Sequence, residues 1–498
     1  MNKSNISHSI LLQAIYDHAV TTPLKTALIE DDIYVNYKEL AEKIELTASY
    51  LLTIGLKKND YIILGARKEL EFVYLYLAAH MLGIINVVVD QATTTEKLEY
   101  ITNIINPRIA FGLQKISADG VLSVSFSDIN FEKNVNGSIS LENVLSTSKM
   151  SKDDTADIMF TTGTTGNPKG VCLSHYNIAS SALNINNFIQ NTSDDIEVLC
   201  LPLSHSFGLG RLRCNLIKGA ELILVGNFAN LKVFFNVIET YHITGFGMVP
   251  AVWEYIRKLS GARIAKYASQ IHYIEIGSAP MPIFEKKNLI NLFPDSRICM
   301  HYGLTEASRS FFMEFHEYKN NLESIGKPVS ENVQIKICDD NGNEVETGQQ
   351  GEICVKGNMV MNHYFFDTDT KSAFWNDYFR TGDYGYKDNN GCYYMVGRKK
   401  ELINIGGKKV SPLTIEEAIK SLGVEDCACI PIADPKNVLG EVPKVFIQEK
   451  GCNLSFEEIK SKLINILEPF EIPVEFEWID KIPKTSSGKI QRLSLLGK

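Results

Sequence analysis

The sequence lacks the long apolar run that a membrane span requires, since no stretch approaches about 18 consecutive apolar residues. Near its start, the apolar-leaning patch Ile10–Ala14 ends shortly before Asp17 and His18. This patch is too short for the core of a signal peptide. The sequence also contains no low-complexity segment and no obvious internal repeat. We therefore expect a globular protein of the cytoplasm without a membrane span.

A metal-binding cysteine pattern and an excess of positive charge are also absent. Cys427 and Cys429 form a C-x-C pair, and no second pair or histidine cluster completes a zinc site among the ten cysteines. Reduced thiols in the cytoplasm are the simplest interpretation. The formal net charge of −9 argues against general nucleic-acid binding. The charge is uneven, because the segment from Arg398 onward has 16 Lys+Arg and 15 Asp+Glu and is nearly neutral.

Length and composition predict a large α/β protein. The 498 residues exceed one ordinary domain, and 45% of them are hydrophobic. Buried strands are predicted for four apolar runs, at 221–225, 244–249, 271–276 and 297–300. Helical spacing between them, for example from Leu231 to Ile238, predicts a parallel sheet flanked by helices. A second sheet is predicted from strands near 62–65, 84–89 and 109–113 around a helix at 69–82.

The later part of the chain changes character. Between 325 and 397, short alternating runs are punctuated by Asn341-Gly342 and Asn390-Gly391, and Asn-Gly is a strong signal for a tight hairpin. This region is therefore predicted to be antiparallel. The remainder predicts a small α+β unit, whose first helix has Ser411 as N-cap and Pro412 at the first helical position.

The most informative segment is residues 160–170, Phe-Thr-Thr-Gly-Thr-Thr-Gly-Asn-Pro-Lys-Gly. Glycine lets a backbone approach a ligand closely, and free N–H groups, threonine hydroxyls and a lysine can wrap phosphate oxygens. A Walker A loop requires G-x-x-x-x-G-K-[ST], which fails here because Pro168 precedes Lys169 and Gly170 follows it. The segment is either a different phosphate loop or a Gly/Thr-rich hairpin turn.

Further segments in a fixed order decide between these alternatives. They are Leu201–Gly208, Gly277–Met281, Tyr302–Glu306, Arg380–Asp383, Gly397–Lys400 and Pro483–Arg492. Together with the loop, they resemble the acyl-adenylate-forming superfamily of acyl-CoA synthetases, adenylation domains of peptide synthetases, and luciferases. The resemblance spans about residues 10–498. It implies an α/β fold with a large N-terminal domain, residues 1–397, of two helix-flanked sheets plus an antiparallel β subdomain. A small mobile α+β C-terminal domain, residues 398–498, would follow.

The resemblance also implies which residues bind ATP and Mg²⁺. In the family, the segment matching Gly277–Pro280 stacks against adenine, and the tyrosine matching Tyr302 covers its other face. Glu306 matches the acidic residue that holds Mg²⁺ on the triphosphate, and Asp383 suits the hydroxyls of a ribose. The residues implied to bind ATP or AMP are Thr161, Thr162, Gly163, Thr164, Thr165, Gly166, Lys169, Gly277, Ser278, Ala279, Pro280, Tyr302, Gly303, Asp383 and Arg398.

The implied reaction has two halves. A carboxylate attacks the α-phosphorus of Mg·ATP, giving an acyl-adenylate and pyrophosphate. The C-terminal domain then rotates, and a thiol attacks the activated acyl group. Lys489 would bridge the carboxylate and the α-phosphate by electrostatic stabilisation, Lys400 would be the hinge, and Gly406-Gly407 would line the thiol channel. The implied catalytic residues are Lys489, His205, Thr305 and Glu306.

Two departures from the family's pattern narrow the range of acids that the enzyme is expected to use. Amino-acid-activating relatives have an Asp directly after the gate residue matched by His205, whereas this chain has Ser206. The residue before Tyr302 is often Gly in long-chain relatives, whereas His301 here would shorten the acyl pocket and favour small or polar acids. The expected pocket residues are Phe207, Met248, Val249 and His301. Arg211 and Arg213 are interpreted mainly as solvated helix charges, with contact to a polar substrate as the alternative.

These inferences predict an ATP-dependent ligase that joins a small-molecule carboxylic acid to coenzyme A. One alternative loads the acyl group onto the phosphopantetheine arm of an acyl-carrier protein, and another is a catalytically silent nucleotide-binding scaffold. The joint presence of Lys169, Glu306, Asp383 and Lys489 argues against the scaffold. Five cations could attract either acceptor, namely Arg398, Lys399, Lys400, Lys408 and Lys409.

Overall fold

The computed structural model describes residues 9–113, 121–129, 131, 139–147, 150–161, 168–226, 228, 230–484 and 490–496. Within these ranges, no helix is both long enough and apolar enough to cross a membrane. All ten cysteines are free thiols, and nine of them are buried.

The first sheet has nine strands in the described chain and is parallel at its centre. In spatial order they are β15 (Lys327–Pro328), β14 (Phe311–Glu314), β13 (Arg297–Tyr302), β12 (Tyr273–Ile276), β11 (Gly245–Met248), β9 (Ile196–Leu199), β10 (Glu221–Leu224), β1 (Thr26–Glu30) and β2 (Ile33–Asn36). Neighbours from β13 across to β1 are parallel, and the edge strands are antiparallel. Met248, Ile276 and Met300 are in register, so the carboxyl ends of β11, β12 and β13 lie side by side. The predicted parallel sheet is confirmed.

The second sheet has seven strands among the described residues. In spatial order they are β18 (His363–Tyr364), β8 (Lys169–Ser174), β7 (Thr155–Thr161), β4 (Ile85–Asp90), β3 (Tyr61–Ala66), β5 (Ile109–Phe111) and β6 (Leu122–Val124). From β7 to β6 the strands are parallel, whereas β8 pairs antiparallel with β7. The sheet predicted around 62–113 is therefore confirmed, and it extends to the hairpin that flanks the Gly/Thr-rich segment.

Helices cover both sheets and fill the space between them. Those of the described chain are α1 (Ile10–Thr21), α2 (Tyr37–Thr53), α3 (Leu70–Leu82), α4 (Thr95–Ile105), α5 (Leu141–Thr147), α6 (His175–Ile189), α7 (Ser206–Lys218), α8 (Leu231–Tyr241), α9 (Pro250–Ser260), α10 (Ile283–Leu292), α11 (Asp367–Ser372), α12 (Pro412–Ser421) and α13 (Phe456–Leu463). One core cluster joins Leu77 of α3 and Leu212 of α7 to Leu64 of the second sheet and Leu222 of the first. Both helices are therefore packed between the sheets, which explains why α3 is apolar on nearly all sides.

The region after the first sheet is antiparallel, as predicted. Its strands are β16 (Gln334–Cys338), β17 (Gly351–Lys356), β19 (Phe374–Trp375), β20 (Tyr378–Lys387) and β21 (Tyr393–Arg398). Gly342 and Gly391 have φ of 85° and 76°, the left-handed values that tight turns need. The hairpin signals therefore marked the turns correctly.

The C-terminal unit has its own sheets and core. A hairpin of β22 (Ile403–Ile405) and β23 (Lys408–Val410) precedes a sheet of β24 (Cys427–Ala433), β25 (Glu441–Gln448) and β26 (Glu475–Ile479). Ser411 caps α12 by accepting a hydrogen bond from the Leu413 N–H at 3.2 Å, with Pro412 in the first turn, as predicted. Ile415, Val445 and Ile459 belong to a separate core cluster, so the unit is α+β with its own interior.

Candidate active site

The Gly/Thr-rich segment connects two antiparallel strands of the second sheet. Thr161 at the end of β7 pairs with Lys169 at the start of β8. Residues 162–167, which include Thr162, Gly163, Thr164, Thr165 and Gly166, lie outside the described residues. The segment therefore begins and ends at one point of the sheet, beside the cluster formed by Lys169.

Lys169 and Glu306 come together through two residues of the segment 364–369. Lys169 Nζ lies 2.8 Å from Asp369 Oδ1 and 5.2 Å from the centre of the Tyr364 ring. The Tyr364 hydroxyl donates to Glu306 Oε1 at 2.8 Å. A cation and a carboxylate thus both contact Tyr364, close to the ends of the Gly/Thr-rich segment. Such a pair can bind a phosphate chain and a divalent cation.

A second cluster joins the motifs at Tyr302, Asp383 and Arg398. Asp383 is 1% exposed, and its Oδ1 lies 2.8 Å from Arg398 Nε, while Oδ2 accepts a hydrogen bond from the Tyr302 hydroxyl. Burial and the neighbouring carboxylate raise the pKa of Tyr302 well above its ordinary value, so the phenol stays protonated and remains a donor. Asp383 and Arg398 are also direct partners across β20 and β21. The structure thus brings together three residues expected to bind ATP, namely Tyr302 at adenine, Asp383 at the ribose and Arg398.

The Gly277–Pro280 segment leaves the carboxyl end of β12 with strained backbone. Ser278 has φ of 73°, a left-handed value that is unfavourable for a side chain larger than glycine. A Cβ at Gly277 would lie 2.1 Å from the His301 ring, so this position requires glycine while His301 is in place. Position 303 also requires glycine, since a Cβ there would lie 2.3 Å from the backbone nitrogen of Arg309. Ala279 and Pro280 follow in the same rim segment, and Thr305 lies in the loop after β13.

The expected acid pocket is bordered by the start of α7 and the end of β13. Phe207 packs edge-on against His301 with ring centres 4.7 Å apart, and His205, the N-cap of α7, is exposed. His301 is 93% buried, with Nδ1 2.8 Å from Glu275 Oε1. Burial lowers the pKa of His301 despite this carboxylate, so the ring is neutral at neutral pH.

Glu275 is an ionised carboxylate that contacts His301. Burial alone would raise the pKa of Glu275, but Arg309, His301 and Arg211 together hold it well below its usual range. An ionised Glu275 keeps the proton of neutral His301 on Nδ1, which leaves Nε2 as an acceptor. Nε2 lies beside Gly277, where an added Cβ would come within 2.1 Å of it.

The structure does not bring all of the expected pocket residues together. Val249, the N-cap of α9, packs on the same core cluster as Phe207. Met248 points to the opposite face of the first sheet, where it packs with Phe246 and Ile276. The alternation of a strand separates Met248 from the His301 side.

The interpretation of Arg211 and Arg213 as solvated charges is wrong, because both are buried. Arg211 binds Glu197 and Glu275 of the first sheet, and Arg213 binds Asp157 of the second. Carboxylates on the strands facing α7 compensate both cations, so neither extends into solvent.

The expected hinge and thiol-channel residues lie in and just before the β22–β23 hairpin. Lys400 is exposed in the turn after β21, and Gly406 and Gly407 form the hairpin turn with φ of 57° and 89°. Lys489 lies outside the described residues. Four of the five cations have contacts within the protein: Arg398 pairs with Asp383, Lys399 and Lys409 share Asp340, and Lys408 lies over the Phe470 ring.

Several residues of the site were not expected from the sequence. Tyr364 and Asp369 lie outside the motifs, and their partners Glu306 and Lys169 are 58 and 200 positions away in the chain. Glu275 did give a signal, since a charged residue inside the buried run 271–276 needs a partner. Arg309 gave none, because its partners are backbone carbonyl oxygens and Glu275.

Comparison with known proteins agrees with this geometry. Residues 15–365 match the family described as AMP-binding enzyme, and residues 414–489 match the AMP-binding enzyme C-terminal domain. The 2-succinylbenzoate–CoA ligase of Listeria monocytogenes is 28% identical over 95% of this chain and 96% of its own length. The oxalate–CoA ligase of Arabidopsis thaliana is 29% identical over 92% of each chain.

Solved structures of similar proteins share the whole architecture. O-succinylbenzoate coenzyme A synthetase (MenE) from Bacillus subtilis, in complex with ATP and magnesium, is 26% identical with a TM-score of 0.86, covering 97% of this chain and 98% of that one. ATP-bound MatB from Rhodopseudomonas palustris is 24% identical with a TM-score of 0.86, covering 98% of both chains, and supports the fold alone.

Fold and site together define an acyl-adenylate-forming enzyme. The chain belongs to the AMP-binding enzyme family, with both the main and the C-terminal domain of that family present.

Proposed function

We propose that this chain is an AMP-forming acid–CoA ligase that activates a small, polar carboxylic acid. The observation that carries the proposal is the arrangement around Tyr302. On one side, the Tyr302 hydroxyl bonds to the buried Asp383, which pairs with the partly exposed Arg398. Four residues later, Glu306 accepts from Tyr364, whose ring lies next to Lys169. One short segment thus connects a site suited to a ribose with a site suited to phosphates.

The residues at the phosphate side fit Mg·ATP. Magnesium in nucleotide sites is held by one or two carboxylates together with phosphate oxygens and waters, and Glu306 supplies such a carboxylate. Within the described residues, no group of three or more His, Cys, Asp or Glu side chains forms a metal site. A bound Mg²⁺ would neutralise charge on the triphosphate. Lys169 would leave Asp369 to bind phosphate oxygens, and Asp383 would accept hydrogen bonds from the ribose.

Several expected roles are part of this proposal. Lys489 stabilises the charge that gathers as the carboxylate meets the α-phosphate, and Thr305 lies next to Glu306 at that point. The Gly277–Pro280 segment lies against adenine. Lys400 is the hinge between an N-terminal domain ending at residue 397 and the C-terminal domain, and Gly406-Gly407 line the path of the thiol.

The acid is proposed from the wall of the pocket and from the relatives. His301 and Phe207 close the space beside Gly277, which shortens it, and Nε2 of His301 offers a polar atom. The acids named for the relatives, 2-succinylbenzoate and oxalate, each carry two carboxyl groups. A short acid with a second polar group fits such a wall better than a fatty acid.

Coenzyme A is the proposed acceptor, because the relatives are named as CoA ligases. A carrier protein would deliver the same phosphopantetheine arm and is the outcome to test against it. The free cysteines agree with a cytoplasmic enzyme, which stays our prediction for its location.

Hydroxylamine trapping of the acyl-adenylate tests the first half-reaction without an acceptor. Oxalate, succinate, 2-succinylbenzoate, benzoate and palmitate would each be supplied with ATP and Mg²⁺, in wild type and in His301→Gly. We expect a signal with a short or dicarboxylic acid in wild type, and a gain with palmitate only in His301→Gly. Efficient wild-type use of palmitate, unchanged by the substitution, would refute the proposed pocket. Thioester formation from the best acid with free coenzyme A then decides the acceptor.

A further inference from the structure

A buried arginine outside the sequence motifs, Arg309, contacts two walls of the candidate site. Its side chain is 2% exposed. Nε donates to Glu275 Oε1 at 3.1 Å, and the two terminal nitrogens donate to the carbonyl oxygens of Ser206 and Phe207 at 3.0 and 3.1 Å. The guanidinium also lies over the Phe207 ring at 4.9 Å. It thus binds the end of β12 and the first turn of α7 together.

The loop that carries Arg309 folds back onto the nucleotide-binding segment. The backbone nitrogen of Arg309 lies against Gly303, where an added Cβ would come within 2.3 Å. Arg309 has φ of 51°, a left-handed value that costs free energy for a residue other than glycine. The strain is maintained by the contacts of the side chain. The backbone of Arg309 is therefore fixed next to Tyr302 while its side chain holds α7.

Helix stability does not account for this arrangement. The N-terminus of a helix is the positive end of its dipole, so a cation at the first turn of α7 is unfavourable there. Gly210 of the same helix is less favourable than alanine in a helix interior. A Cβ at Gly210 would lie 2.5 Å from Arg309 Nη1, so glycine leaves room for the guanidinium. The cation at the first turn of α7 and the glycine inside that helix are each locally unfavourable. Together they permit the contact between Arg309 and α7.

We propose that Arg309 is a positioning residue that fixes the acid gate, residues 205–207, relative to the nucleotide segment Tyr302–Glu306. The inference rests on the acid-activating function proposed above. Glu275 extends the same network to His301, so the gate and the pocket wall share one anchor. The carboxylate and the α-phosphate must meet in a narrow geometry, and a misplacement of about 1 Å can cost about 100-fold in rate.

The test uses Arg309→Lys and Gly210→Ala in the full-length enzyme. Gly210→Ala keeps Arg309 and Glu275 and introduces a better helix former, so it displaces the guanidinium without weakening the helix. ATP–pyrophosphate exchange would be measured with oxalate, succinate and 2-succinylbenzoate, and the Kd for ATP by calorimetric titration. We expect kcat/KM for the acid to fall at least about tenfold in both variants, with the Kd for ATP within about twofold of wild type.

Arg213→Lys is the matched control, because Arg213 is a buried arginine of α7 bound to a carboxylate on the other sheet. It should leave the acid kinetics of folded enzyme unchanged. An equal loss in Arg213→Lys, or unchanged acid kinetics in Gly210→Ala, would overturn the positioning role.

A second measurement does not depend on the acid. Amide hydrogen exchange at residues 206–210 should become at least about tenfold faster in Arg309→Lys than in wild type or Arg213→Lys, since the first turn of α7 loses its anchor. Unchanged protection there would contradict the proposal. If wild type uses none of the three acids, the acid class proposed above fails, and amide exchange alone decides the role of Arg309.

Discussion

At the scale of single residues, Lys169 and Lys356 have nearly the same surroundings and different expected roles. Each pairs with an aspartate, Asp369 at 2.8 Å and Asp377 at 3.0 Å, and each lies over a tyrosine ring. Lys169 alone borders the Gly/Thr-rich segment. We expect Lys169→Ala to raise the KM for ATP in pyrophosphate exchange about 10- to 100-fold, the loss of a charged hydrogen bond worth about 1.5–3 kcal/mol. Lys356→Ala should leave the KM for ATP unchanged. Equal increases of this KM in the two variants would contradict the proposed contact of Lys169 with phosphate.

Substitution of Lys489 should affect the two half-reactions differently. Its proposed role is confined to adenylation, because the expected rotation of the C-terminal domain would remove Lys489 from the site before the thiol attacks. We expect Lys489→Ala to abolish hydroxamate formation while retaining much of the rate of thioester formation from a preformed acyl-adenylate. Both rates would be measured on the same preparation. Comparable losses in the two would argue against this division.

The sequence predicted those site residues that belong to a motif. It did not predict the residues that only the fold brings into the site. Asp383, Arg398 and Tyr302 were implied by three separate motifs, and they share one cluster. Arg309 and Tyr364 act through partners 102 and 58 positions away in the chain, Phe207 and Glu306 respectively. Contacts at such separations depend on the packing of sheets and helices, which local patterns do not specify.

At the scale of elements, α7 is anchored to both sheets by buried charge. Asp157 of β7 accepts hydrogen bonds from Tyr76, His80 and Arg213. Burial would raise the pKa of Asp157, but Arg213 and His80 lower it to about 2. The carboxylate is therefore ionised in the folded protein, and its removal leaves Arg213 buried without compensation.

We expect Asp157→Asn to lower the free energy of unfolding by about 3–5 kcal/mol at pH 7, measured by urea denaturation. The surface variant Asp377→Asn should change it by less than about 1 kcal/mol. Since the folded pKa of Asp157 is below the ordinary 3.8, its contribution is present above about pH 4 and is lost as the pH falls towards 2. The gap between wild type and Asp157→Asn should therefore narrow below pH 4, and a constant gap would contradict the assignment.

The turn after β21 is the expected hinge, and proline tests it. Proline fixes φ near −65° and resists the dihedral change that a hinge must absorb. We expect Lys400→Pro to slow thioester formation more than adenylation, with Lys400→Ala as the control for loss of charge. Equal rates for the two half-reactions in Lys400→Pro would place the pivot elsewhere.

Elements were predicted well where the apolar period was clear. Strands at 244–249 and 271–276 are β11 and β12, and the helix at 69–82 is α3. The spacing of apolar residues and the turn motifs in the sequence do not reveal which sheet covers a helix. The two arginines of α7 were misread for that reason, because a helix between two sheets buries the faces that would otherwise be solvated.

At the scale of the whole molecule, the cations of the C-terminal unit contact the N-terminal body. Lys409 Nζ donates to the Tyr384 hydroxyl at 2.8 Å and lies 3.4 Å from Asp340, which also pairs with Lys399. Rotation of the C-terminal domain would have to separate Lys409 from Asp340. Only then could Lys409 attract an acceptor.

We expect Lys408→Glu with Lys409→Glu to raise the apparent KM for coenzyme A several-fold, about threefold or more at low salt and less at high salt. Pyrophosphate exchange should remain. Asp340→Asn removes the partner of Lys409 and keeps its charge, so it should not raise this KM. Unchanged kinetics with coenzyme A, together with lost loading of a carrier protein, would make the carrier protein the partner.

The position of α7 between the two large sheets also determines how the protein responds to heating. Arg211 ties the helix to the first sheet and Arg213 ties it to the second, so neither sheet can melt while the other keeps its buried charges compensated. A calorimeter should therefore record one cooperative heat-absorption peak for both sheets. The C-terminal unit has its own core, and its melting should give a smaller, separate peak.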